Sequence, residues 1–106
     1  METEKQIEEY LVRKVRQYKG KAYKFVSPGN VGVPDRLVVL PGMLMFVELK
    51  TAKGRLTKMQ EVQIQRLRDL NQDVYIIRSK KQVDELLEFY ENIIRKVDSV
   101  LNGEGF

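Results

Sequence analysis

The feature that most restricts the fold of this chain is a pair of apolar runs joined by a Pro-Gly dipeptide. The first run is residues 37–40, Pro41-Gly42 can reverse the chain, and the second run extends from Leu44 to Lys50. Apolar runs on either side of such a dipeptide predict an antiparallel hairpin. The chain is therefore expected to contain a β-sheet that includes this hairpin.

Charged residues lie at the open end of the predicted hairpin. Asp35 precedes the first strand, and the second strand ends in Glu48-Leu49-Lys50. Because alternate side chains of a strand point to the same face, Glu48 and Lys50 share a face, and a tight hairpin would bring Asp35 close to Glu48. Two carboxylates beside an ammonium group indicate a metal-dependent hydrolytic site. The alternative is a capping Asp35 and a surface Glu48–Lys50 ion pair, worth ~1 kcal/mol at most.

The chain contains neither Cys nor His. This excludes disulfides, thiol nucleophiles, Ser-His-Asp triads and zinc sites with His or thiolate ligands. Catalysis would have to use carboxylates, Lys, Tyr, water and hard cations. Carboxylate and water ligands favour Mg²⁺ or Mn²⁺, and no organic cofactor is expected.

The formal net charge of +4 favours an anionic partner. Basic residues cluster beside the predicted site, at Lys50, Lys53, Arg55 and Lys58. A phosphate backbone would suit this cluster, which makes Lys53, Arg55 and Lys58 candidate DNA-binding residues. Alternatively, they are ordinary solvated side chains.

A length of 106 residues predicts one domain, assigned to residues 1–101, and a flexible tail at residues 102–106. No apolar run approaches the ~20 residues that span a bilayer, and no secretory signal is visible. A cytoplasmic protein without a membrane partner is expected, in the host cytoplasm if the gene is viral.

Periodicity and turn signals place helices and strands along the chain. The predicted helices are residues 3–18, 57–70 and 79–101, and the predicted strands are residues 22–26, 37–40, 44–50 and 74–77. The order α-β-β-β-α-β-α, with a helical crossover before the last strand, predicts an α/β fold with a small mixed β-sheet flanked by helices. The last strand is a continuous apolar run and is expected to be buried on both faces.

Two helices carry apolar stripes that make specific predictions. In helix 57–70 the stripe is Met59, Val62, Leu67 and Leu70. The last helix has more apolar positions than a small sheet needs, namely Val83, Leu86, Leu87, Tyr90, Ile93, Ile94, Val97 and Leu101. The excess predicts a homodimer interface. Alternatively, this helix covers only the sheet of its own domain.

The loop 27–34 contains two Gly and two Pro and leads directly to Asp35. Glycine allows a ligand to approach the backbone closely, which makes Ser27 a candidate DNA contact, although a plain turn explains the same residues.

Two charged residues outside this loop have open interpretations. Arg36 either contacts phosphate or extends along the strand edge. On the first helix, Glu4 either points toward the core side or stays solvated and complements the helix dipole.

Three motifs together resemble a known nuclease family. They are Gly32-Val33-Pro34-Asp35-Arg36, Phe46-Val47-Glu48-Leu49-Lys50 and the Gln60 that follows. From about Glu4 to Arg78 the chain resembles the PD-(D/E)xK nuclease superfamily, specifically a stand-alone VRR-NUC domain such as viruses of bacteria encode. The resemblance implies a restriction-endonuclease-like core.

The resemblance also implies roles for individual residues. Asp35, Glu48 and the backbone carbonyl of Leu49 would hold Mg²⁺ or Mn²⁺, and Lys50 would be the motif lysine that orients water or offsets charge on the phosphate.

Two further positions match the family. Glu4, or else Glu8, would face the outer water shell of the metal. Gln60 would lie near the lysine, although it is equally placed to form a capping box with Thr57.

The implied function is a metal-dependent DNA endonuclease. Four-way junctions or other branched DNA are the expected substrate, and a homodimer would provide paired cuts. Flap DNA and plain duplex DNA are the alternative substrates. The competing functional class is a non-catalytic DNA-binding module that kept the fold and the basic surface.

Overall fold

In the part of the chain that the structure describes, three helices and four strands follow one another in the predicted order α-β-β-β-α-β-α. They are α1 (Glu4–Gln17), β1 (Lys21–Lys24), β2 (Arg36–Leu40), β3 (Met43–Leu49), α2 (Lys58–Asp69), β4 (Val74–Ile77) and α3 (Lys80–Leu101). The structure is a computed structural model that describes residues 1–103. Its strands form one sheet in the spatial order β1-β2-β3-β4, so the predicted fold class is confirmed.

The predicted hairpin joins β2 to β3. β2 pairs antiparallel with both β1 and β3, and β4 pairs parallel with β3 after the α2 crossover. Gly42 has a φ of 80° in the turn, a conformation that glycine adopts without steric cost. The register sets Arg36 opposite Val47, so the next positions outward are Asp35 and Glu48.

β1 lies earlier in the chain than predicted. The prediction placed it at residues 22–26, whereas it covers Lys21–Lys24. The Phe25 N–H still donates to the Asp35 carbonyl at 2.9 Å. Val26, in contrast, is 70% exposed, because its partner strand begins only at Arg36 and the chain leaves the sheet for the loop 27–34.

One face of the sheet packs against α1 and α3 and forms the core. The buried side chains of the two helices are Ile7, Leu11, Val15, Val83, Leu86, Leu87 and Tyr90. They belong to one cluster with Val38, Leu40, Met45, Val47, Leu49 and Ile77 of the sheet. Since each fully buried aliphatic side chain contributes about 1.5–3 kcal/mol, this layer is the main source of stability.

α2 lies on the opposite face, and its predicted apolar stripe is partly wrong. Met59 and Leu70 are 44% and 69% exposed. The buried residues of this helix are Gln63 and Ile64. α2 packs along β4 and the end of β3, so only a narrow side of the helix meets the sheet.

β4 is less buried than predicted. Its end residues Val74 and Ile77 are buried, but Tyr75 and Ile76 are only half-buried. The reason is topological: β4 is an edge strand, so one of its sides has no neighbouring strand.

α3 is buried mainly in its first half. Its fully buried residues end at Tyr90, and Val97, Val100 and Leu101 are 46%, 44% and 78% exposed. The first half of the apolar stripe of α3 thus covers the domain's own sheet, and the second half continues as an exposed apolar surface, so the homodimer stays a prediction.

Asn102 and Gly103 form a turn, and the rest of the predicted tail, residues 104–106, lies outside the described residues. No helix within residues 1–103 is long and apolar enough to cross a bilayer.

Candidate active site

All three helices begin at the edge of the sheet where β3 and β4 end. α2 follows β3, α3 follows β4, and the carboxylate of Glu2, just before α1, accepts a hydrogen bond from the Lys80 N–H at 3.2 Å. Thr3, Thr57 and Ser79 cap the three helices with their side chains. The partial positive charges of three helix N-termini therefore lie near this edge and favour anions there.

The hairpin brings Asp35 and Glu48 together at this edge, as predicted. The side chain of Asp35 accepts a hydrogen bond from the Leu49 N–H at 2.9 Å. Pro34, directly before Asp35, is fully buried and fixes the direction from which the chain enters β2. The carboxylate of Asp35 is thus held against the end of β3.

Glu48 is the most unusual residue of the site, because it is a charged residue with only 1% of its surface exposed. One carboxylate oxygen, Oε2, accepts a hydrogen bond from Gln60 Nε2 at 3.0 Å and lies 3.7 Å from Lys50 Nζ. The other oxygen, Oε1, is buried and has no hydrogen-bond partner among the described residues. Buried polar atoms are rarely left without a partner, so this oxygen is suited to a ligand that the protein itself does not supply.

The surroundings raise the pKa of Glu48 from 4.5 to about 7. Burial is the largest cause, followed by the negative charge of Asp35. Lys50 and the Asp35 backbone oppose the shift, and the charge of Glu4 adds to it. A pKa shifted by burial and by a neighbouring carboxylate is a frequent property of functional sites.

Gln60 forms the capping box of α2 and also contacts Glu48. Its Oε1 accepts from the Thr57 N–H at 2.9 Å, while its backbone N–H donates to Thr57 Oγ1 at 3.1 Å, which completes the capping box of α2. Its Nε2 is then free to donate to Glu48. The cap therefore fixes the side chain that positions Glu48.

Gly32 locks the loop before Asp35 onto the first turn of α2. It has a φ of 93°, and a Cβ at this position would lie 2.6 Å from the Met59 carbonyl carbon and 2.8 Å from the Gln60 nitrogen. Only glycine allows this contact between two backbones. The sequence indicated a constrained loop, but the partner of Gly32 could not be deduced from it.

Comparison with known proteins identifies the family. No protein-family model matches the chain. A solved structure described as a "VRR_NUC domain" superposes with a TM-score of 0.76 and 32% sequence identity, over 84% of this chain and 99% of that chain. The chain belongs to the VRR-NUC family. A phage protein named "Putative nuclease p44", from Acyrthosiphon pisum secondary endosymbiont phage 1, is 47% identical over 78 residues, which are 73% of this chain and 84% of that protein.

In this VRR-NUC domain, Glu4 and Glu8 have different surroundings. Glu8 accepts a hydrogen bond from Arg36 Nε at 3.0 Å in a part-buried ion pair. Glu4 is exposed, and its charge contributes to the raised pKa of Glu48. Of these two candidates, Glu4 is therefore linked to Glu48 by its charge, whereas Glu8 is paired with Arg36.

The predicted DNA contacts of the VRR-NUC domain fall into two groups. Lys53, Arg55 and Lys58 are exposed next to the site. Arg36 is instead held by Glu8 and by the Ala22 carbonyl, 3.1 Å from its Nη1. Ser27 accepts a hydrogen bond from Asn30 Nδ2 at 2.9 Å and its carbonyl accepts from the Asn30 N–H, so it forms a turn.

The donor set fits a hard divalent cation. Asp35, Glu48 and the Leu49 carbonyl all offer oxygen atoms. Glu48 Oε1 is the one among them that is buried with no hydrogen-bond partner in the described residues. Within residues 1–103 no three Asp or Glu side chains are grouped so that they alone could hold a metal ion. A cation here would therefore need the backbone carbonyl and water as well, as Mg²⁺ usually does.

Proposed function

We propose that this VRR-NUC protein is an Mg²⁺- or Mn²⁺-dependent endonuclease that hydrolyses phosphodiester bonds of DNA. The observation that carries the proposal is the buried Glu48 carboxylate, which lies between Asp35 and Lys50 and has one oxygen without a hydrogen-bond partner within residues 1–103. The 47% identical phage protein, whose name describes a nuclease, agrees with this class of activity.

Asp35, Glu48 and the Leu49 carbonyl are the proposed metal ligands. When bound, the cation would supply Lewis-acid chemistry, activating water and polarising the scissile phosphate. The protein's own contribution is to hold these oxygens in place. The Leu49 N–H orients Asp35, and Gln60 orients Glu48, each through a hydrogen bond of 2.9–3.0 Å.

Lys50 is proposed to stabilise the charge that develops on the phosphate during attack by water. Its ammonium group is 3.7 Å from Glu48 Oε2, and its side chain is only 14% exposed. A positive charge held in a partly buried site stabilises a transition state more strongly than one in water. Glu4, which is exposed and whose charge contributes to the raised pKa of Glu48, is proposed to order water near the metal.

The DNA substrate is proposed to be branched, with four-way junctions as the first candidate. Exposed Lys53, Arg55 and Lys58 would contact backbone phosphates, and the three helix N-termini would add to the favourable potential. Ser27 and Arg36 are proposed as further DNA contacts. Two copies, joined through the exposed apolar part of α3, would cut a symmetric junction in the host cytoplasm.

Cleavage assays test this function. Purified protein is incubated with labelled duplex, flap and four-way junction DNA in Mn²⁺, Mg²⁺ or EDTA, beside Glu48→Ala and Lys50→Ala. We expect metal-dependent cleavage that both substitutions abolish and that is fastest on the junction. Cleavage that survives EDTA or Glu48→Ala would reject the mechanism, and binding without cleavage in every condition would support the DNA-binding module.

The dimer is tested separately by sedimentation, with Val97→Glu as a variant of the exposed α3 surface. Wild-type protein is expected to sediment as a dimer and the variant as a monomer. A wild-type monomer at high micromolar concentration would remove paired cutting from the proposal and leave the hydrolytic site unaffected.

A further inference from the structure

The loop that follows β3 is held by a side chain from the next strand. Residues 51–57 connect Lys50 to α2 and carry the exposed Lys53 and Arg55. Arg78, directly after β4, is part-buried and donates from Nη1 to two carbonyls of this loop, to Thr51 at 3.0 Å and to Gly54 at 2.5 Å.

These two carbonyls are the ends of one tight turn. The Gly54 N–H donates to the Thr51 carbonyl at 3.2 Å. A Cβ at Gly54 would lie 3.0 Å from Thr51 Oγ1 and 3.6 Å from Lys50 Cδ. Gly54 therefore lies close to the aliphatic part of the Lys50 side chain, with room for little more than one carbon atom between them. The ammonium group of Lys50 lies beside Glu48.

Arg78 itself is fixed at its backbone. Its N–H donates to Gln82 Oε1 at 2.6 Å, and the Gln82 N–H donates to the Ser79 side chain at the start of α3. The Lys50 N–H also donates to the Ile77 carbonyl at 3.1 Å. The guanidinium group thus projects from a rigid strand end onto the adjoining loop.

We propose that Arg78 is a positioning residue that pins the Thr51–Gly54 turn and thereby holds the Lys50 ammonium group beside Glu48. A charged donor shared between two carbonyls is stronger than a neutral hydrogen bond and leaves the turn few alternative positions. The catalytic part of this inference rests on the proposed nuclease function, whereas the pinning of the loop does not.

The loop is tested without DNA by limited trypsin digestion, with fragments from cleavage after Lys53 and Arg55 measured by mass spectrometry. Arg78→Ala is expected to speed cleavage at these two positions by about tenfold or more relative to sites within α2, because loss of a charged hydrogen-bond donor lowers the cost of local opening. Arg78→Lys is expected to stay within about threefold of wild type, since an ammonium group can donate to both carbonyls.

The matched control is Arg68→Ala. Arg68 also donates a guanidinium hydrogen bond to a strand carbonyl, that of Val74 at 2.7 Å, but at the opposite end of β4. Its removal takes away the same charge and the same type of contact without touching the turn. We expect its digestion pattern within the loop to match wild type.

The catalytic part is tested by steady-state cleavage. Arg78→Ala is expected to lower kcat about tenfold with KM for DNA nearly unchanged, because a displaced Lys50 weakens the transition state more than binding. Arg78→Lys should restore most of kcat, and Arg68→Ala should change neither constant. A rise in KM with unchanged kcat would overturn positioning and make Arg78 a phosphate contact.

Failure of the inference and failure of the proposed function are distinguishable. If Arg78→Ala leaves trypsin cleavage of the loop unchanged, Arg78 does not hold the Thr51–Gly54 turn, whether or not the protein is a nuclease. If wild type has no nuclease activity, ¹⁵N–¹H nuclear Overhauser effects of residues 50–55 serve as the second readout. They are expected to fall in Arg78→Ala only, and equal values in wild type and variant would overturn the proposal.

Discussion

Replacing Glu48 with Gln is expected to stabilise the metal-free protein at alkaline pH. Glu48 is 1% exposed and next to Asp35, so its charged form is unfavourable in the folded state. The amide of Gln has nearly the same shape and carries no charge, and it can still accept a hydrogen bond from Gln60. The substitution removes the cost of ionisation and keeps the packing.

The size of the effect follows from the pKa. Folding raises the pKa of Glu48 from 4.5 to about 7. A group with a raised folded pKa gives its full stability below the unfolded value and loses it as the pH rises through the folded value. At about 1.4 kcal/mol per pKa unit, wild type should lose about 3 kcal/mol of unfolding free energy from this group between pH 4.5 and pH 8.

Urea unfolding in EDTA at several pH values measures this difference. The unfolding free energy of Glu48→Gln should equal that of wild type at pH 4.5 and exceed it by about 3 kcal/mol at pH 8. At pH 8 this corresponds to a shift of the urea midpoint of roughly 1–3 M. The control is Glu9→Gln, an exposed position of α1, which should show no such pH dependence. Adding Mg²⁺ at pH 8 should stabilise wild type and leave Glu48→Gln unchanged.

Two results would refute this reasoning. The first is a Glu48→Gln variant no more stable than wild type at pH 8 in EDTA. The second is a stability difference that does not change between pH 4.5 and pH 8, since a constant difference would arise from packing and not from ionisation.

Three further predictions concern the surroundings of the carboxylate pair. Gly32→Ala should lower the unfolding free energy by at least ~3 kcal/mol in urea unfolding, because the added Cβ would overlap the Met59 backbone. The control Gly29→Ala, where φ is 81° and no atom lies within 4 Å of the added Cβ, should lower it by only about 1 kcal/mol. Equal losses would contradict the contact between Gly32 and α2. Gln60→Ala should lower the rate of cleavage by about tenfold or more, because Glu48 loses its hydrogen-bond donor. Thr57→Ala, which breaks only the cap, should lower the unfolding free energy by about 1 kcal/mol. Equal loss of activity in the two variants would assign Gln60 to the cap alone. Lys53→Ala and Arg55→Ala should each reduce the salt slope of DNA binding by about one, and a slope equal to that of wild type would remove that residue from the DNA interface.

Local sequence patterns were sufficient to predict the elements of the fold. The apolar runs on either side of Pro41-Gly42 fixed the hairpin, and the hairpin register fixed the approach of Asp35 to Glu48. Capping signals at Thr57 and Ser79 located the starts of two helices to within one residue. These features depend on neighbours in the chain, so periodicity and turn chemistry determine them.

Features that depend on distant parts of the chain were not predictable. The apolar stripe predicted for α2 includes Met59 and Leu70, but both are exposed because α2 packs only along β4 and the end of β3. The Glu8–Arg36 ion pair joins α1 to β2, and the Arg78 contacts join β4 to the loop after β3. No local pattern encodes such partners.

The placement of Lys50 and Gln60 argues against a purely structural Glu48–Lys50 pair. Both donors approach the same oxygen of Glu48, Oε2, and leave Oε1 buried and without a partner in the part of the chain that the structure describes. An ion pair retained for stability would be expected to satisfy both oxygens, because an unpaired buried oxygen costs about 1–3 kcal/mol and burying the charge costs more. An arrangement that keeps one oxygen unsatisfied next to Asp35, at the edge where three helices begin, is explained if a cation occupies that position during function.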